Sequence, residues 1–218
     1  MEPTLLVVGA TGLVGKSILH AALKSDVYTQ VIALTRRPVE GLEGRDGFVQ
    51  HIVDFDNLEE SRHLIQARDI VNAMGTTHKK AGSKAKFFRV DHDYPLEVAT
   101  IARDNGAERC INISSVGAGA GAWGGNYLRV KKQLEDELRE LAFPSYVILR
   151  PSLLLGDREE KRAGEDMGKW FDSTFRSFIP RRYRGVHAHH IAQRVLQLGQ
   201  STPLGNQIIE SEYIPLPR

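Results

Sequence analysis

Cysteine is almost absent. Cys110 is the only one in 218 residues, which excludes an internal disulfide framework and any cysteine-cluster zinc site. A lone thiol fits a reducing compartment. No charge sign dominates. Lys+Arg total 29 and Asp+Glu 27, a formal net charge of +2, so bulk charge gives no pull toward nucleic acid or a membrane surface. Long hydrophobic runs are missing as well. The longest uncharged stretch, Cys110 to Leu128, carries Gly117, Gly119, Gly121, Gly124 and Gly125. Its backbone would be poorly satisfied in a bilayer. Met1-Glu2-Pro3 lacks a basic n-region, and the apolar run Leu5 to Val8 is too short for a signal core. These absences lead to the expectation of a soluble, cytoplasmic protein. It should have neither nucleic acid nor membrane as partner and be a monomer or homodimer.

What is present is ordinary globular material, 41% hydrophobic and 26% charged. The length suits one domain. Apolar runs at Thr4–Val8, Val31–Leu34, Phe48–Val53, Asp69–Met74, Arg109–Ile113 and Tyr146–Leu149 read as strands. Between them, Gly12–Lys24, Lys84–Asn105 and Tyr127–Leu141 carry helical spacing. Alternation of this kind predicts an α/β fold, a Rossmann-like doubly wound parallel sheet in three layers. Residues 1–218 are expected to form one such domain, with a small C-terminal lobe at about 152–218. Within that lobe Glu165–Phe178 and His190–Leu198 read as helical, and Gln207–Ile209 as a last strand.

Gly9-Ala10-Thr11-Gly12-Leu13-Val14-Gly15 joins the first strand to the first helix. Glycines there permit a tight turn and let backbone N–H groups approach a pyrophosphate at a helix N-terminus. A nucleoside-triphosphate loop ending in Gly15-Lys16-Ser17 would need glycine at position 10, where alanine stands. The second strand ends in Thr35-Arg36-Arg37 and meets no acid before Glu40. Arginines at this place suit the 2′-phosphate of NADP, whereas an acid would suit NAD. NADP(H) is therefore the expected cofactor, with NAD the alternative. Asp54 and Phe55 follow the third strand, where a hydrogen bond to the adenine amino group is possible. Ala73, Met74, Gly75 and Thr76 end the fourth, where small side chains let a cofactor lie across the sheet edge.

Tyr127 and Lys131 are four apart on one predicted helix and share a face. A phenol is a poor base near neutrality, with pKa about 10, and a neighbouring ammonium favours its ionised form. Ser114-Ser115 ends the fifth strand, where a hydroxyl could hydrogen-bond a carbonyl oxygen as negative charge develops.

With Arg150-Pro151-Ser152 and Leu153-Leu154-Leu155-Gly156-Asp157-Arg158 added, these motifs make the chain resemble the short-chain dehydrogenase/reductase family. The resemblance is to its extended and atypical branches, in particular the subgroup containing the HIV Tat-interacting oxidoreductase. It implies Tyr127 as general acid/base, Lys131 as the group that binds the nicotinamide ribose, and Ser115 rather than Ser114 as the group polarising the carbonyl. It also implies Arg150, Pro151 and Leu153 near the nicotinamide. Two features depart from the family pattern. Val90-Asp91 stands where many members have an asparagine, and Ser115 is one residue closer to the tyrosine than is usual.

The expected function is hydride transfer between NADP(H) and a small carbonyl or alcohol substrate. The alternatives are a nucleotide-sensing regulator without turnover and a nucleotide-sugar epimerase or dehydratase. No metal site is expected, because His187, His189 and His190 have no cysteine or acidic ligand nearby in sequence. Lys79, Lys80, Lys84 and Lys86 form a basic loop that is either solvated or attracts an anion. Trp123 could cap the substrate or anchor to the core.

Overall fold

Val7 and Val8 point to opposite faces of one strand, yet their exposures are 0% and 2%. A strand with no solvent face belongs inside a sheet covered on both sides. The computed structural model describes residues 2–119, 125–155, 180–202 and 205–216, and it places this strand, β1 (Thr4–Val8), third in a seven-stranded sheet. β2 (Gln30–Thr35), β3 (Phe48–Ile52), β4 (Asp69–Asn72), β5 (Arg109–Ile113) and β6 (Ser145–Arg150) follow in the chain. Two short strands, β7 (Leu154–Leu155) and β8 (Val186–His187), pair with each other beside the sheet, and β9 (Gly205–Glu210) adds its last strand. The spatial order is β3-β2-β1-β4-β5-β6-β9, with every neighbour parallel.

The chain winds outward from β1 to β3 and then returns to the other side of β1 at β4. That reversal opens a crevice at the C-terminal ends of β1 and β4, where ligands bind in open α/β sheets. Alternation along β1 sorts the core. Leu5 and Val7 pack under α1 (Leu13–Ala22), while Leu6 and Val8 face the other layer.

That second layer begins with the short helices α2 (His78–Ala81) and α3 (Lys84–Phe88). A π-helical turn, Arg89–Asp93, links α3 to α4 (Tyr94–Asp104), so the predicted helix exists with an interruption. α5 (Gly125–Glu140) completes that layer, and α6 (Ala188–Gln200) lies against α1. The C-terminal third thus contributes a strand to the sheet and a helix to the layer that covers it. The helix expected over Glu165–Phe178 lies outside the described residues, as does Trp123.

The N-terminal edge of the sheet is closed by a buried ionic cluster. Asp69 Oδ2 accepts from Tyr28 Oη at 2.9 Å, Arg68 Nη2 at 2.9 Å and Arg109 Nη1 at 2.7 Å. Arg68 also donates to Gly199 O, and Arg109 to Ser201 O, which ties the end of α6 to β4 and β5. Burial, reinforced by Asp69, pushes the Tyr28 phenol well above its ordinary value. These groups lie at the far end of the strands from the crevice.

Candidate functional site

The glycine turn is built by close backbone approach. Gly9 has a φ of +79°, and a Cβ there would stand 2.5 Å from the Ala73 carbonyl carbon. A Cβ on Gly15 would meet Gly9 O at 2.3 Å, whereas one on Gly12 meets only Gly9 O, at 3.3 Å. Gly9 and Gly15 are therefore required by the fold, while Gly12 is free to face the crevice. Gly12 caps α1 without a side-chain hydrogen bond. The first amides of the helix thus have no side-chain cap and suit an anion. The fit to a dinucleotide phosphate rests on this geometry.

A cavity of about 810 Å³ lies along this turn, within the range of small-molecule sites. Most of the predicted binding residues line it: Gly9, Ala10, Thr11, Gly12, Leu13 and Val14 from the turn, Arg36 and Arg37 after β2, and Phe55 after β3. Ala73, Met74, Gly75 and Thr76 line it after β4, and Tyr127 and Lys131 from α5. Small strand-end groups hold these positions. Asn72 Nδ2 donates to Asn112 Oδ1 at 2.8 Å, and Asn72 Oδ1 accepts from the Met74 N–H at 3.0 Å. Gln50 does the same for the arginine turn, donating to Thr35 Oγ1 at 3.1 Å and Arg37 O at 3.3 Å. Phe55 packs against Tyr94 with ring centroids 5.5 Å apart.

Other expected residues stand elsewhere. Asp54 does not line the cavity, because its Oδ1 turns back to accept the Asp56 N–H at 2.9 Å. Arg150, Pro151 and Leu153 do not line it either, although Leu154 does. Arg150 is held by buried carboxylate instead. Its Nε and Nη2 donate to Glu135 Oε1 and Oε2 at 3.0 and 2.6 Å, and its Nη1 to Glu210 Oε1 at 3.0 Å. These carboxylates raise the Arg150 guanidinium above its ordinary value.

The two serines divide. Ser114 lines the cavity, but its Oγ donates to Glu135 Oε1 at 2.5 Å. Ser115 does not line it, and its hydroxyl makes only a 3.4 Å contact with Val116 O.

Tyr127 is 37% exposed, and its ring centroid is 5.8 Å from Lys131 Nζ and 6.0 Å from the Phe87 ring. Lys131 is itself buried and paired with Asp91. The residue-type patterns of the sequence did not assign lining roles to Thr77, Val90, Ile113 or Leu154, nor a partner to Glu135. Among the described residues no group of His, Cys, Asp and Glu is placed to hold a metal ion. His187, His189 and His190 cluster through tilted and edge-on ring contacts, with the last two centroids 4.0 Å apart. No helix of the described residues is long and apolar enough to cross a membrane.

A parallel sheet reversing at a glycine-lined crevice defines a dinucleotide-binding protein. The chain belongs to the NAD(P)H-binding family, which it matches over residues 9–182. Within that class it is an atypical short-chain dehydrogenase/reductase resembling the HIV Tat-interacting subgroup. It is 34% identical to HTATIP2 of Rattus norvegicus over 187 residues, 85% of this chain and 75% of that one. It is also 34% identical to the mitochondrial protein FMP52 of Candida glabrata, over 75% of this chain and 69% of that one. An oxidoreductase of the short-chain dehydrogenase/reductase family from Burkholderia thailandensis shares the fold. Its TM-score is 0.71 at 16% identity, covering 98% of this chain and 93% of that one.

The cytoplasmic location expected from the sequence is corrected by these relatives. FMP52 proteins from Candida glabrata, Candida albicans, Emericella nidulans and Debaryomyces hansenii are named mitochondrial. Cysteine count and net charge could not reveal this, because a compartment address is read by receptors and is no property of the core.

Proposed function

We propose that the protein is an NADP(H)-dependent oxidoreductase acting on a small carbonyl or alcohol. The observation that carries this is the convergence of Tyr127 and Lys131 with the glycine turn and Arg36-Arg37 on one cavity. The nicotinamide, when bound, supplies or accepts the hydride. The chain's own residues do the rest. The amides opening α1 take the pyrophosphate, and Arg36 and Arg37 take the 2′-phosphate. Lys131 holds the ribose nearest the reacting ring. The Tyr127 hydroxyl gives its proton to the substrate oxygen on reduction and recovers it on oxidation. Ser114, the serine that lines the cavity, already donates to Glu135, and Ser115 lies off the cavity, so neither serine is assigned to the substrate oxygen.

Cofactor choice tests the arginine pair. Arg36 and Arg37 are exposed and flank the cavity mouth. A charge-assisted hydrogen bond contributes about 1.5–3 kcal/mol. Arg36→Ala with Arg37→Ala should weaken NADPH binding about tenfold or more and leave NADH unchanged. Calorimetry giving equal NADPH and NADH affinities for the unmodified protein would refute the preference.

The glycines make a second, paired test. Gly15→Ala should lower stability by about 1–3 kcal/mol, because its methyl collides with backbone that cannot move aside. Gly12→Val should fold, then weaken nucleotide binding at least about tenfold by blocking the amides. Thermal melts followed by nucleotide titration separate the two. Unchanged nucleotide affinity in Gly12→Val would place the phosphate elsewhere.

A further inference from the structure

Asp91 is a buried charge beside the cavity that the proposed mechanism leaves unused. It is fully buried and sits on the π-helical turn Arg89–Asp93 that interrupts the helix between α3 and α4. Such turns insert a residue and re-aim the side chains around it, often at functional sites. Here Val90 lines the cavity while Asp91 points inward. Asp91 Oδ2 accepts the Thr76 N–H at 2.8 Å. Its Oδ1 has no aligned hydrogen bond and lies 2.9 Å from Lys131 Nζ, whose side chain is only 4% exposed. A Cβ on Gly75 would stand 3.7 Å from that Oδ1 and 3.8 Å from Nζ, so the Gly75 backbone covers the pair. One carboxylate therefore ties together the loop after β4, the π-turn and α5.

We propose that Asp91 is a positioning residue that fixes the Lys131 ammonium at the cavity wall, ready for the ribose. This rests on the assignment of the cavity to NADP(H). Lysine ends a flexible four-carbon stem, and a free stem must lose that freedom when it meets a ligand. An anion behind the ammonium removes the freedom beforehand. It also compensates a charge that would otherwise be buried alone. The remaining ammonium protons are left to face the cavity.

The test is a double-mutant cycle read by NADPH fluorescence titration on the full chain. Asp91→Asn keeps an oxygen for the Thr76 N–H and removes the charge. In the presence of Lys131 it should weaken NADPH binding about tenfold. In a Lys131→Met background the same change should cost less than about twofold, because there is no ammonium left to position. Equal weakening in both backgrounds, or none in either, would show that Asp91 does not act through Lys131. Failure of the unmodified protein to bind NADPH would overturn the cofactor assignment instead, and the two failures are distinct. If Asp91→Asn is too unstable for titration, thermal melting started from low temperature decides. A double variant that melts above either single variant supports the pairing, and losses that simply add overturn it.

Discussion

Tyr127→Phe is expected to reduce carbonyl turnover by about 10²–10⁴-fold, the range for lost general acid–base catalysis. The substitution removes one oxygen and keeps the ring that packs 6.0 Å from Phe87. NADPH affinity should hardly change, because the phosphate and 2′-phosphate contacts lie at the glycine turn and the arginine pair. Steady-state NADPH oxidation with aldehydes, ketones and quinones reads the first effect, and fluorescence titration the second. Turnover that survives the substitution would remove the proton-transfer role from Tyr127.

Arg150→Met should be the most damaging substitution for stability. Glu135 is fully buried and takes two hydrogen bonds from this guanidinium. Without it, Ser114 Oγ is the remaining side-chain donor to the carboxylate. Breaking one side of a buried ion pair costs about 3–5 kcal/mol, a large part of the roughly 5–15 kcal/mol that holds a domain together. At this chain length the melting temperature should fall by about 6–20 °C. Adding Glu135→Gln should recover part of the loss, since the uncompensated charge is gone. A urea midpoint unchanged by Arg150→Met would show that the pair contributes little.

The strands from β1 to β6 were legible because each carries a short apolar run, as a parallel sheet covered on both faces requires, whereas the two-residue strands β7 and β8 are too short to leave such a run. The cradle was legible because glycine at positions 9, 12 and 15 has few other uses between a strand and a helix. The serine assignment was not legible. Neighbours at a strand end point to opposite faces, so Ser114 and Ser115 exchange roles with a one-residue change of register. Arg150 was placed at the nicotinamide by family resemblance, but Glu135 claims its guanidinium from a helix distant in sequence.

One signal was available. Val130, Leu134 and Leu138 mark the buried stripe of α5, and Lys131 and Glu135 fall on the same stripe. Charged residues at buried helical positions need partners, which Asp91 and Arg150 supply. The π-turn that aims Asp91 leaves no mark on residue composition and emerges only from the backbone path. Asp54 was misplaced for a local reason: an aspartate two residues before a free amide folds back onto it.

Isotope transfer tests the central claim most directly. NADPH carrying deuterium at the reactive carbon of the nicotinamide would be mixed with the protein and a panel of aldehydes and ketones, whose alcohols keep the transferred label on carbon, and the products examined by mass spectrometry. The proposed function predicts deuterium in the alcohol formed from at least one carbonyl compound, and its loss in Tyr127→Phe. Tight NADPH binding with no deuterium in any product would contradict it and identify the protein as a nucleotide-sensing regulator.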